Sequence, residues 1–128
     1  MPQTLAQKIL QAHTDEPVRS DGQIIQCRVS LVLANDITGP LAIKSFRGMG
    51  AEKVFDREKI ALVMDHFTPQ KDIDSANQVL ISRKFAEEQG ITHYYEGGDC
   101  GVEHTLLPER GLVGPGDLVI GADSHTCT

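Results

Sequence analysis

Apolar residues fall along this chain in two alternating patterns, helical spacing and short unbroken runs, so helices interleaved with buried strands are predicted. Residues 4–13 read as an amphipathic helix with Thr4 as N-cap and Leu5, Ile9 and Leu10 on one face. After a turn at Ser20-Asp21-Gly22, Ile24, Ile25, Val29, Leu31, Val32 and Leu33 form a β-rich run that Asn35-Asp36 breaks. A helix over about residues 41–49 follows, closed by Gly50. Residues 60–64 are apolar throughout, the signature of a strand covered on both faces. The clearest helix runs from Asp74 or Ser75 to Gln89 and stops at Gly90. Its apolar face is Ala76, Val79, Leu80, Phe85 and Ala86, with Lys84, Glu87 and Glu88 towards solvent. A short strand over 91–95, a glycine-dense loop over 97–101 and a turn-rich stretch at Gly111, Gly114, Pro115 and Gly116 lead to a last strand over 118–120.

Strands alternating with helices predict an α/β fold with a largely parallel sheet and flanking helices. Ligands of such sheets bind beyond the carboxyl ends of the strands. Two acid–histidine tips fall there, Asp65-His66 and Asp123-Ser124-His125. Histidine transfers protons near neutral pH, and a nearby carboxylate sets its tautomer and favours its charged form. Asp65 and His66 are adjacent, so they pair only if the strand has ended and the chain turns, as Thr68-Pro69 favours. Asp123 and His125 are two apart and can share a face. His104, beside Glu103 and just past the glycine loop, has weaker context, and His13 and His93 have none. From the residues alone two readings stand: an enzyme using the tips for proton transfer or to hold a metal, and a binding or assembly module in which they cap strands.

At 128 residues the chain is long enough for one domain with a core. Its net charge of -6, without a basic stripe, argues against nucleic acid as the main partner. No apolar run is long enough for a membrane span, and the N-terminus lacks the charged-then-apolar pattern of an export signal, so a cytoplasmic location is expected. Three cysteines, Cys27, Cys100 and Cys127, without C-x-x-C spacing predict neither a disulfide framework nor a self-contained metal centre. Cys27, in the first β-rich run, is expected in the core.

Residues 119–128, with 107–111 and 114–117 before them, and the segments 35–40 and 64–69 resemble, in order, the N-terminal region of 3-isopropylmalate dehydratase large subunits in the aconitase superfamily. Homoaconitase large subunits are similar too. The resemblance implies a hydro-lyase of leucine biosynthesis that moves a hydroxyl between adjacent carbons by dehydration and rehydration, with a 4Fe-4S cluster as Lewis acid. It makes His66 the acid near the leaving hydroxyl, supported by Asp65, and pairs His104 with Asp123 near the substrate. It places His125 in the same region and Ser124 on a substrate carboxylate.

Against that pattern, none of the three cysteines stands at a cluster-ligand position, so no metal ligand is expected in this chain. The family's base, a serine, and much of its carboxylate-binding arginine set come from a separate small subunit. A glutamine that aconitases use for substrate falls at Ser45, and its role is not carried over. The expectation is an incomplete N-terminal aconitase-like domain, inactive alone, whose last strand lacks a covering helix and whose open edge invites self-association.

Overall fold

The computed structural model describes residues 2–127, which leaves Thr128 of the terminal motif outside. Four strands build the sheet: β1 (Leu31–Asn35), β2 (Ile60–Val63), β3 (His93–Tyr95) and β4 (Val119–Gly121). Their order is β3-β2-β1-β4 and every pairing is parallel, as the alternation of elements predicts. The helices are α1 (Leu5–Ala12), α2 (Gly39–Gly48), α3 (Ile73–Gln89) and α4 (Glu103–Glu109).

All residues of β2 are buried, and their period of two divides them between two cores. Ile60 and Leu62 join Met64, Ile43 of α2 and Val79, Phe85 and Ala86 of α3 on one face. Ala61 and Val63 join Leu31 and Leu33 of β1 and Leu106 and Leu107 of α4 on the other. The unbroken apolar run therefore does report a strand covered twice.

The first β-rich run is a strand only in its last third. Residues 23–29 have no regular structure and Ile24 is 94% exposed. The cause is pairing: the neighbours meet β1 only from Leu31 and Val32 onward, through Val119 and Ile60, so the upstream residues have no ladder to join. Cys27, expected in the core, is half-buried.

Helix α1 has the expected cap. The Gln7 backbone N–H donates to Thr4 Oγ1 at 3.2 Å, and Gln7 Oε1 accepts from the Thr4 N–H at 3.0 Å. None of its residues is buried, however, so its apolar face is not part of either core. Helix α3 starts directly after its N-cap Asp72, whose carboxylate accepts from the Ser75 N–H at 2.8 Å, and ends at Gly90 with φ 66°. Its buried stripe is Ser75, Val79, Ser82, Phe85 and Ala86, while Ala76 and Leu80 face outward. Ser82 stands there in place of a larger apolar residue because α2 comes close: a Cβ on Gly39 would sit 3.2 Å from Ser82 Oγ. Helix α4 is too short for a visible period and carries Pro108, yet it buries Glu103, Leu106 and Leu107 at i, i+3 and i+4.

Strands β3 and β4 are the sheet edges, and Ile120 of β4 is exposed. Among the described residues, no helix is long and apolar enough to cross a membrane.

Candidate active site

Parallel strands end on the same side, so Asn35-Asp36, Asp65-His66 and Asp123 emerge together at the carboxyl ends of β1, β2 and β4. The first turn of α4 adds Glu103 and His104. These residues surround an open pocket of about 500 Å³, lined by Asp65, His66, Glu103, His104, Asp123 and His125 together with Val102.

The chain turns immediately after β2, at residues 66–67. That turn lets neighbouring side chains meet, and His66 Nδ1 lies 2.8 Å from Asp65 Oδ1. The other Asp65 oxygen accepts from the Glu103 N–H at 2.8 Å, tying β2 to the start of α4. Beyond the ring, His66 Nε2 lies 3.3 Å from Asp123 Oδ1. Asp123 Oδ2 takes His104 Nε2 at 2.9 Å and the His125 backbone N–H at 2.7 Å. His125 is therefore joined to Asp123 chiefly through its backbone; its own ring is largely exposed and lies 3.1 Å from Ser124 Oγ. His93 lies in β3 opposite Ala61, away from the tips, and Ser45 is exposed on α2.

The residues between these tips were expected only to break a strand or sit in a loop. Asn35 is buried and accepts at Oδ1 from the Ile37 and Thr38 N–H groups at 3.0 and 2.9 Å. Its Nδ2 donates to Glu103 Oε1 at 3.1 Å and to Asp123 Oδ1 at 3.4 Å. Asp36, also buried, accepts from the His66 and Phe67 N–H groups at 3.2 and 2.7 Å. The sequence signal for both is the one that marks the other tips, polar residues directly after an apolar strand.

Their electrostatics separate the groups. Asp123 is held far below the usual carboxylate range, first by the His104 hydrogen bond and then by the His125 N–H, with the His104 and His66 charges assisting against burial. Burial would lower His66, but the Asp65 hydrogen bond and the charges of Asp65, Asp36 and Glu103 outweigh it and raise its proton affinity. Glu103 is pushed up, chiefly by burial, with Asp65 and Asp123 adding and the Asn35 bond opposing. It is 1% exposed, and its Oε2 has no hydrogen-bond partner. The pocket thus holds a proton-rich imidazole, a firmly ionised carboxylate and a carboxyl that resists ionisation. Groups driven apart in this way suit acid–base work.

Two sets of potential ligand atoms converge within 4.8 Å, Asp36–Asp65–His66 and His66–Glu103–Asp123. Hydrogen bonds engage both oxygens of Asp36, Asp65 and Asp123, whereas Glu103 Oε2 has none. Among the described residues no convergent set contains a cysteine. Cys27 lines a hollow together with Lys59, at the amino end of β2, Cys100 is half-buried and Cys127 exposed. These thiols do not fit an iron–sulfur cluster, which needs several on one centre.

The aconitase family model (aconitate hydratase) matches residues 7–128. The chain is 89% identical over its whole length to the 3-isopropylmalate dehydratase large subunit of Desulfovibrio desulfuricans, covering 30% of that protein. It is 78% identical to the protein of the same name from Nitratidesulfovibrio vulgaris (strain Miyazaki F), covering 31% of it. Against that of Moorella thermoacetica it is 61% identical and covers 30%. The chain thus spans about 30% of the length of these relatives.

Proposed function

This chain belongs to the aconitase family, and from that premise we propose that it forms the N-terminal acid–base domain of a hydro-lyase large subunit interconverting 2-isopropylmalate and 3-isopropylmalate. The observation that carries this reading is the convergence of His66, Asp123 and His104 at one pocket mouth. The names of the relatives supply the substrate class.

In this reading His66 is the acid. Asp65 holds Nδ1, so Nε2 presents the proton that, at rest, faces Asp123. As the C–O bond breaks, its electron pair leaves with oxygen and the Nε2 proton completes a water molecule. Rehydration runs the transfer backwards, with neutral His66 reclaiming a proton from the attacking water. Asp123, kept ionised by His104, stabilises the imidazolium and orients the water. Ser124 binds a substrate carboxylate and His125 lines the entrance. The proton on the adjacent carbon is taken by a group outside this chain, which we assign to a small-subunit partner.

Large subunits of this family are generally 4Fe-4S enzymes, the cluster supplying Lewis acidity. The cysteines present here do not fit it, so we assign its ligands to the part of the relatives' length that this chain does not span. The chain by itself is then inactive, and self-association through the β4 edge is expected of it. As a biosynthetic enzyme of leucine formation it is placed in the cytoplasm.

The test is a turnover assay of the large subunit at the relatives' full length, with its small subunit, on 2-isopropylmalate and homocitrate. Isopropylmalate is expected to react, and preference for homocitrate would move the enzyme to the homoaconitase class. Anaerobic reconstitution of residues 1–128 with iron and sulfide is expected to yield no cluster absorbance; a stoichiometric cluster would overturn the ligand assignment.

A further inference from the structure

Asp36 takes no part in the proton transfers above, yet at 0% exposure it is more deeply buried than any residue that does. Its two oxygens catch consecutive backbone N–H groups, those of His66 at 3.2 Å and Phe67 at 2.7 Å. Oδ1 also lies 3.7 Å from His66 Nδ1. Local turn-making does not explain it, because Asn35 already holds the turn after β1 through the Ile37 and Thr38 N–H groups. The Asp36 bonds instead cross from β1 to the turn after β2. Since β1 pairs with both β2 and β4, a side chain from its tip is referenced to the same strand that supports Asp123. Burying a carboxylate is costly, and two charge-assisted hydrogen bonds with one imidazolium nearby offset part of that cost.

We propose that Asp36 is a positioning residue: its carboxylate clamps the His66 turn so that the imidazole is aimed at Asp123 and into the pocket the two residues line. This rests on the reading of His66 as the acid. Asp65 fixes the ring at Nδ1 and Asp36 fixes the backbone that carries it. The two carboxylates thus constrain the imidazole from separate elements. The titratable groups facing His66 are Asp36 from the end of β1, Asp65 beside it, Glu103 and His104 from α4, and Asp123 and His125 from the β4 tip.

The experiment uses the full-length large subunit with its small subunit and compares D36N, D36E, H66A and the double variant D36N/H66A. D36N is expected to lower kcat about 10- to 100-fold, the scale of a misplacement near 1 Å, with KM changed by less than about twofold on that same logic. Removing one negative neighbour also moves the alkaline limb of its kcat–pH profile to lower pH. D36E keeps the charge but displaces the clamp, so kcat falls while the limb stays. In the H66A background D36N is expected to cost nothing further. Loss of activity in H66A with unchanged kcat and pH limb in D36N would overturn the role of Asp36 alone, as would additive losses in the double variant. Normal turnover of H66A would instead overturn the reading of His66. If neither D36N nor D36E is recovered folded, Asp36 is a determinant of the fold and the proposal fails.

Discussion

His66 Nε2 lies 3.3 Å from Asp123 Oδ1 although the strands that carry them are not neighbours, since β1 runs between β2 and β4. The two side chains meet over the end of β1, where Asn35 donates to Asp123 and Asp36 holds the turn of His66. A parallel sheet makes this meeting natural, because its strands all end on one side.

Replacing His66 by alanine in the full-length enzyme is expected to lower turnover about 100-fold or more, the usual cost of losing a positioned proton donor. Steady-state kinetics on isopropylmalate measures it. Near-normal turnover would take His66 out of the reaction.

Asp123 has a carboxyl held below its ordinary range in the folded state. Its contribution to stability is therefore fully present above about pH 4, the unfolded value, and is lost as pH falls further through the folded one. D123N removes that contribution, so its stability should vary less with pH on the acid side than the wild type's. Urea midpoints measured across that range decide it, and parallel curves would contradict the His104–Asp123 pairing.

Glu103 behaves in the opposite sense, because its folded carboxyl is raised. Its stabilising effect is present below about pH 4.5 and is lost as pH climbs through the higher folded value. E103Q keeps an acceptor for Asn35 Nδ2 and cannot ionise, so it should gain on the wild type as pH rises to neutrality, by on the order of 1 kcal/mol. Chemical denaturation at acid and neutral pH checks this, and an equal difference at both would show that Glu103 does not titrate there.

Gly121, at the end of β4, has no room for a side chain. An added Cβ would lie 2.9 Å from Thr126 Oγ1, 3.0 Å from its Cγ2 and 3.5 Å from Leu33 Cβ. G121A is expected to destabilise the fold by about 1–3 kcal/mol, because the turn after Asp123, closed by the Thr126 N–H on the Asp123 carbonyl at 3.2 Å, folds back onto the strand. Thermal unfolding measures the loss. An unchanged midpoint would mean that the Asp123 turn is pliable.

Much of this arrangement is legible in the chain before any coordinates. The apolar run of β2, the Thr4 cap, the stop at Gly90 and the acid–histidine tips are local patterns, each set by residues within a turn or a strand of one another. Leu80 misleads because helical spacing shows that a stripe exists but does not choose between overlapping stripes; the close approach of α2 favours the one containing Ser82. The β-rich stretch before β1 misleads because such residues become a strand only where partners reach them.

By itself, then, the sequence determined the alternation of strands and helices and the residue types delivered to the strand ends, since both follow from side-chain period and local backbone preference. The order β3-β2-β1-β4, the burial of Asn35, Asp36 and Glu103, and the distances joining His66, His104 and Asp123 were decided only by tertiary structure. The physical reason is that these depend on hydrogen bonds between residues far apart along the chain, whose partners exist only once the sheet has assembled.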